Sequence, residues 1–192
     1  MRVLGIDCGT EYTGYGIVDL LFDRGEPGQR RDPRYAARPE NDRLACVACG
    51  AIKVSPRDPM PTRLARIARG LEELIALHRP NRVAIEDVFY AVNVKSALKL
   101  GQVRGVAMLT AASAGLEVAE YSPLSIKSAV VGYGKAEKHQ VQQMVARLLR
   151  LDDIPEPADA ADALAIAICH LHTAATLELQ SSSFEPRATS RR

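Results

Sequence analysis

RVLGID, at residues 2–7, decides the fold: it is an apolar run that ends in an acid, and the turn signal CGT follows it at residues 8–10. Apolar runs of this length bounded by turn residues are typical of short buried strands. The next segment, TGYGIVD at residues 13–19, predicts a second strand, so the chain opens with an antiparallel hairpin. RVAIE at residues 82–86 repeats the pattern of an apolar strand that ends in an acid.

Strand and helix patterns alternate through the rest of the chain. Thr62 is the expected N-cap of the first helix, and Pro80 lies just beyond its end. An opening hairpin followed by alternating helices and strands predicts an α/β fold: a mixed five-stranded sheet, antiparallel at the hairpin and parallel elsewhere, with helices on both faces. The predicted strands are residues 2–7, 13–19, 44–54, 82–86 and 117–121, and the predicted helices are residues 62–78, 94–114, 123–131, 137–150 and 159–175.

The length of 192 residues fits one domain, which we place at residues 1–178. Residues 22–43 carry six arginines and little apolar periodicity and predict a mobile insertion loop, while residues 179–192 predict a disordered basic tail. A net charge of +2 neither supports nor excludes a nucleic-acid partner. There is no leader pattern and no uncharged apolar run long enough for a bilayer, so we expect a cytoplasmic protein without a membrane span.

Four cysteines are present, and two of them, Cys46 and Cys49, form a CxxC. A structural zinc site usually needs a second pair of ligands at similar spacing, and the sequence has no other CxxC and no HxxxH. We therefore favour thiols that are packed within a strand and reduced, as in a cytoplasmic protein.

Four acids are distinguished by their positions. Asp7 and Glu86 end two buried strands, while Asp159 and Asp162 open an otherwise apolar helix, where positions i and i+3 share one face. An acid in a first helical turn has an ordinary explanation in the helix dipole. Acids at the ends of apolar strands, however, are rarely buried without a partner. If the two strands are neighbours, the like charges repel and the cluster calls for a cation.

Oxygen ligands select hard divalent ions, so we expect Mg²⁺ at this cluster, with Mn²⁺ as a substitute. Two such ions about 4 Å apart can activate a water and stabilise the leaving oxygen in phosphodiester hydrolysis. We therefore predict a metal site that can hold two ions and whose chemistry suits phosphodiester hydrolysis. Its predicted metal ligands are Asp7, Glu86, Asp159 and Asp162.

Further motifs identify a family. In order and spacing they resemble the RuvC family of Holliday-junction resolvases, within the ribonuclease H-like superfamily, over residues 2–20 and about 44–173. The segments that carry the resemblance are LGIDCGT at 4–10, TGYG at 13–16, AIEDVF at 84–89, SALKLGQ at 96–102, RGVA at 104–107, VVG at 130–132, AEK at 136–138 and ADAADALAIA at 158–167.

The resemblance implies a homodimeric, Mg²⁺-dependent crossover junction endodeoxyribonuclease that acts in DNA recombination and repair. Such enzymes make paired nicks in strands of like polarity at a four-way junction and leave 5′-phosphate and 3′-hydroxyl ends. They act with the RuvA and RuvB branch-migration proteins. The four acids match the family's catalytic acids one by one, and Lys127 and Lys138 match basic residues near the scissile DNA. Phe89 matches an aromatic that stacks on a base near the junction centre.

Two further expectations concern DNA and the second subunit. Lys99, Arg104 and Lys135 flank the acidic motifs in sequence, and we expect them to contact DNA. The helix at 94–114 is the expected dimer interface, unless its apolar face packs on the protein's own sheet. The small or apolar residues expected in that interface are Ala97, Leu100, Val103, Ala107, Ala111 and Ala114.

Two features depart from the family pattern: Cys8 stands where the family usually has Pro, and the stretch 22–43 is longer than the usual hairpin connection. The segment GIDCGT at 5–10 also resembles the first phosphate loop of actin-like sugar kinases and ATPases, which is the alternative interpretation. Such proteins need a second, similar half, for which we expect no room in 192 residues, and a glycine-rich adenosine loop, for which the sequence has no motif.

Overall fold

The structure is a computed structural model that describes residues 1–22, 42–87 and 94–182, with the backbone alone at residues 22, 42, 43 and 175–182. Apart from its ends, the predicted loop 22–43 lies outside the described residues. The strands are β1 (Arg2–Asp7), β2 (Tyr12–Phe22), β3 (Asp42–Lys53), β4 (Arg82–Glu86) and β5 (Glu117–Tyr121). The helices are α1 (Met60–His78), α2 (Val94–Ser113), α3 (Pro123–Val131), α4 (Lys138–Leu149) and α5 (Ala158–Ser182).

The strands form one sheet in the order β3-β2-β1-β4-β5. The β1–β2 and β2–β3 pairs are antiparallel, whereas β1–β4 and β4–β5 are parallel. This arrangement confirms the predicted α/β fold with its antiparallel opening hairpin and parallel strands beyond it. It also places the ends of β1 and β4 side by side at the same edge of the sheet.

Helices cover both faces of the sheet. Successive side chains of a strand point to opposite faces, so Leu4 and Ile6 of β1 pack with α1 and α2, while Val3 packs with α3, α4 and α5. Helix α5 is deeply buried along its described part, where every side chain from Ala163 to Cys169 is at most 2% exposed. This explains why its sequence is apolar nearly all round.

The start of α1 differs from the prediction. The helix begins at Met60 after Pro59, and not at Thr62. The reason is Pro61, whose fixed φ suits the first turn of a helix and whose missing N–H would have had no partner there. At the other end, Arg79 adopts a left-handed conformation with φ of 49° and caps the helix, just before the predicted stop.

The end of α5 also differs from the prediction. The helix runs to Ser182 instead of residue 175, since neither Gly nor Pro interrupts the sequence there. Residues 179–182 of the predicted tail are therefore helical, and residues 183–192 lie outside the described part of the chain. None of the helices in the described ranges is long and apolar enough to cross a membrane.

A β-bulge in β3 explains the placement of the CxxC. Cys46 pairs with Val18 while Ala48 pairs with the residue before it, so Val47 is the extra residue. The bulge turns Cys46 and Cys49 to the same face, where both pack against the core beneath α5. Burial raises the pKa of Cys46 to about 12, so this thiol is protonated at neutral pH. These contacts support the packing interpretation.

Candidate active site

Asp7 and Glu86 lie side by side where two parallel strands end. Ile6 of β1 pairs with Ile85 of β4, so the next residue of each strand carries its carboxylate at the same edge of the sheet. Because the two isoleucines point into the core beneath α1 and α2, the two acids face the side covered by α5. There they line a cleft of about 210 Å³.

Asp162 enters the same cleft from α5. The helix can come this close because glycines stand beneath it. A Cβ at Gly14 would lie 2.6 Å from the carbonyl carbon of Asp159, and a Cβ at Gly5 would lie 2.8 Å from a backbone nitrogen of α5. Asp159, in the first turn of α5, does not line the cleft, but its charge reaches Asp7 and raises the pKa of that group.

Burial and mutual repulsion raise the pKa values of two acids. The pKa of Asp7 rises to about 7, chiefly through burial and then through the charges of Asp162, Glu86 and Asp159. Burial, followed by the charge of Asp162, also raises the pKa of Glu86. The repulsion between these carboxylates is relieved when one of them binds a proton or when a cation lies beside them.

Two lysines bring positive charge to the cleft. Lys138, the first residue of α4, donates from Nζ to Oδ2 of Asp162 at 2.6 Å, and Lys127 of α3 lines the same wall. Both lysines oppose the rise in the pKa of Glu86, and Lys138 also opposes that of Asp7. The cleft thus brings together three of the four predicted acids and both lysines singled out by the resemblance.

The donor set suits a hard divalent cation, because the charged acceptors in the cleft are carboxylates, without thiolate or imidazole. As the side chains stand, no three His, Cys, Asp or Glu residues in the described ranges are grouped closely enough to hold a metal ion. Asp162 is paired with Lys138, whose side chain is 62% exposed and free to turn toward another acceptor. An ion at the acids would therefore take the place of this ammonium group.

The other basic residues predicted to bind DNA lie outside the cleft lining. Lys99 is exposed on α2, and Lys135 is exposed in the turn between α3 and α4. Arg104 is different, since its side chain is 18% exposed and pairs with two carboxylates of the protein itself. Phe89 lies outside the described residues.

The sequence did not reveal the apolar wall of the cleft or the partners of Arg104. Pro123, Ile126 and Val141 line the cleft, and their role follows from packing between α3, α4 and α5. The partial burial of Arg104 could have been inferred from the sequence, because the residue stands three positions before Ala107, at the edge of the buried face of α2.

Comparisons with known proteins identify the family of the chain. A family model described as "Crossover junction endodeoxyribonuclease RuvC" matches residues 26–170, a range that contains Glu86, Asp159 and Asp162 and begins after Asp7. The chain is 62% identical over 177 residues to the crossover junction endodeoxyribonuclease RuvC of Koribacter versatilis (strain Ellin345). That alignment covers 92% of this chain and 96% of the relative.

Two solved structures from Thermus thermophilus are similar in fold and sequence. One is the RuvC structure, with 32% identity and a TM-score of 0.76. The other is RuvC in complex with a Holliday junction substrate, with 29% identity and a TM-score of 0.75. Each alignment covers 92% of this chain and 96% of the other.

Proposed function

The chain belongs to the RuvC family of crossover junction endodeoxyribonucleases, and on this premise we propose that it resolves four-way (Holliday) DNA junctions in recombination and repair. It hydrolyses one phosphodiester in each of two strands of like polarity and leaves 5′-phosphate and 3′-hydroxyl ends. The observation that carries the proposal is the cleft in which Asp7, Glu86 and Asp162 meet Lys127 and Lys138. The family match leaves the ATPase alternative without support.

The nuclease is metal-dependent, and we propose Mg²⁺ as the ion, two per site, with Mn²⁺ as a substitute. Asp7, Glu86, Asp159 and Asp162 are the proposed ligands. When bound, such ions lower the pKa of a water and stabilise the charge on the leaving oxygen. The raised pKa values of Asp7 and Glu86 support this proposal, because a cation would remove the repulsion that contributes to them.

The chain's own residues bind and orient the DNA strand. Lys127 and Lys138 offer ammonium groups to the phosphate beside the acids. When Lys138 takes a phosphate oxygen as its acceptor, it releases the Oδ2 of Asp162 that it now holds at 2.6 Å. The apolar wall formed by Ile126 and Val141 excludes water from one side and strengthens these charge interactions.

The proposed DNA surface also includes Lys99 and Lys135, which lie outside the cleft, and the resemblance implies that Phe89 stacks on a base. Each phosphate contact that is lost flattens the dependence of log K on log salt by about 0.9. We therefore expect the Lys127→Ala, Lys138→Ala double variant to bind a junction with a clearly shallower salt dependence than the wild-type protein. Fluorescence anisotropy with Ca²⁺ in place of Mg²⁺ measures it, and an unchanged slope would mean that DNA docks elsewhere.

We propose that the protein is a homodimer, but the apolar face of α2 that the sequence offered as the interface packs within the protomer, which is the alternative interpretation. Val103, Ala107 and Ala111 are fully buried within the protomer, where α2 packs beside α1 and on the sheet. The sequence showed an apolar stripe on this helix, and the stripe belongs to the protomer's own core.

Among the described residues, a different face of α2 is left exposed, and we propose it as the contact with a second subunit. Val94, Leu98 and Leu109 lie on it and are between 64 and 72% exposed. A Cβ added at Gly101 or Gly105, on the same face, would meet no atom of residues 1–22, 42–87 or 94–182 within 4 Å. Large apolar side chains beside open glycines suit the close approach of another helix. Two protomers related by a twofold axis and joined here would carry two clefts, one for each of the two equivalent strands of a junction.

The proposed setting is the cytoplasm, with the RuvA and RuvB branch-migration proteins as partners that deliver the junction. One experiment tests the proposed function as a whole. Purified protein is incubated with Mg²⁺ and a synthetic four-way junction, beside a linear duplex of the same sequence. We expect nicks at symmetric positions in the junction alone, and ligation of the products in a second step. Equal cutting of both substrates, or of neither, would contradict the proposal.

A further inference from the structure

Arg104 differs from the other basic residues near the cleft because it is largely buried. Its side chain is 18% exposed, against 62% for Lys138. Its Nη2 is enclosed and makes no well-directed hydrogen bond to the part of the chain that the structure describes, although two carboxylates lie beside it. A guanidinium cannot lose its proton, so its burial is tolerated only where acceptors compensate the charge.

The guanidinium contacts the ends of two strands at once. Nε of Arg104 donates to the backbone carbonyl of Glu86 at 3.4 Å, and Nη2 lies 3.5 Å from Oδ1 of Asp87. Nη2 also pairs with Oε2 of Glu120 in β5. A backbone hydrogen bond joins the same two strand ends, since the N–H of Asp87 donates to the carbonyl of Tyr121 at 2.8 Å. One side chain of α2 therefore ties the end of β4 to the end of β5.

The guanidinium acts from outside the cleft. Glu120 pairs with Ile85, whose side chain points into the core beneath α1 and α2. Glu86 points the other way and lines the cleft, whereas Arg104 does not. Burial raises the pKa of Cys8 to about 12, and the positive charge of Arg104 works against that rise.

We propose that Arg104 is a positioning residue, which fixes the end of β4 so that the Glu86 carboxylate faces Asp7 and Asp162. This inference rests on the proposed metal-dependent function and replaces the expectation that Arg104 contacts DNA. An arginine suits the task because its planar fork reaches several acceptors, whereas a lysine offers one point charge. Loss of such an outer contact typically weakens metal binding by about 10- to 100-fold.

The first test titrates the protein with Mn²⁺ alone, without DNA, by calorimetry. Arg104→Gln is expected to weaken Mn²⁺ binding at least about tenfold, and Arg104→Lys to weaken it less. Arg82→Gln is the matched control, because Arg82 forms an ion pair with Glu117 at 3.1 Å that joins the other ends of the same two strands. The control should keep the wild-type Mn²⁺ affinity. Unchanged affinity in Arg104→Gln would overturn the proposal.

The second test separates positioning from DNA contact. In Ca²⁺, Arg104→Gln should bind junctions with the wild-type affinity and salt dependence, and in Mn²⁺ it should lose kcat while KM for the junction is kept. A flattened salt dependence would identify a phosphate contact and overturn the proposal. If Arg104→Gln does not fold, Glu120→Gln serves instead, since it removes one partner and keeps the guanidinium. Wild-type Mn²⁺ affinity in that variant would equally contradict the proposal.

The two proposals fail separately. Absence of junction cleavage by the wild-type protein would contradict the proposed function, whereas the role of Arg104 is decided by Mn²⁺ affinity measured without DNA.

Discussion

At the residue scale, Asp7 shows that the cleft is built at the expense of stability. Its pKa of about 7, raised from 3.8 chiefly by burial, means that the charged form is disfavoured in the folded state. Asp7→Asn removes the charge and keeps the shape. We expect it to increase the free energy of unfolding at pH 8 without metal. The increase is at most about 4 kcal/mol, because a pKa difference of one between the folded and unfolded states corresponds to about 1.4 kcal/mol. Urea unfolding measures this, and a less stable variant would contradict it.

The same substitution should separate DNA binding from cleavage. Asp7→Asn removes a carboxylate from the cleft but leaves Lys127 and Lys138 in place, so we expect junction binding close to that of the wild-type protein and no cleavage in Mg²⁺. Asp58→Asn is the control, because Asp58 pairs with Arg66 away from the cleft and should leave cleavage unchanged. Efficient cleavage by Asp7→Asn would argue against the mechanism.

The pKa of Asp7 also predicts a pH dependence. Its folded pKa, about 7, lies above its ordinary value of 3.8. The folded protein therefore holds this proton more tightly than the unfolded chain, and metal-free stability should fall as pH rises between these values. Metal competes with the same proton, so Mn²⁺ affinity should rise with pH, by up to about tenfold per unit below pH 7. Calorimetry at pH 6, 7 and 8 checks this, and a flat profile would contradict it.

The positions of the acids could be predicted from single residues, whereas their contacts could not. Asp7 and Glu86 were recognisable because each ends an apolar run. The 2.6 Å ion pair between Lys138 and Asp162 joins residues 24 positions apart and depends on how α4 packs on α5. Nothing in the local sequence of either residue encodes that distance.

At the element scale, strand ends were predicted best where an apolar run met a polar residue. The bounds of β1, β4 and β5 agree with the prediction for this reason. The orientation of α2 was harder, because the helix has apolar residues on more than one face. Which face is buried depends on where α1 and the sheet lie, and that is a property of the tertiary structure.

Close contact between α5 and β2 gives a prediction at the same scale. A methyl group at Gly14 would lie 2.6 Å from the carbonyl carbon of Asp159, so the start of α5 must move. We expect Gly14→Ala to cost about 1 to 3 kcal/mol of stability. Because displacements of about 1 Å at a catalytic site can cost on the order of a hundredfold in rate, cleavage should fall much further than stability explains.

Gly50→Ala is the matched control on the neighbouring strand. Its added methyl would meet the hydroxyl of Tyr15 at 2.7 Å, at the far end of a side chain that can turn away. We expect this control to cut junctions nearly as well as the wild-type protein. Thermal melting and initial cleavage rates are compared for the two variants, and equal rates in both would contradict the role assigned to Gly14.

At the scale of the whole molecule, one cleft can make one nick, so paired incision needs two protomers held in a fixed relation. The exposed face of α2 is the proposed interface, and Leu98 and Leu109 on this face are 64 and 67% exposed. Replacing both by Glu brings like charges together across the twofold axis. Each of the two residues in one protomer then faces the same residue, or the other one, in the second protomer. We expect the wild-type mass in light scattering to be about twice 20.8 kDa, and that of the double variant to be 20.8 kDa.

Leu77→Glu is the control for this variant, since Leu77 of α1 is 75% exposed and lies outside the proposed interface. It should remain dimeric. On a supercoiled plasmid with an extruded cruciform, paired nicks within one binding event give linear DNA, whereas separate nicks give open circles. We expect linear product from the wild-type protein and from Leu77→Glu, and open circles from Leu98→Glu, Leu109→Glu. A monomeric wild-type protein that still linearises the plasmid would show that pairing does not depend on this face of α2.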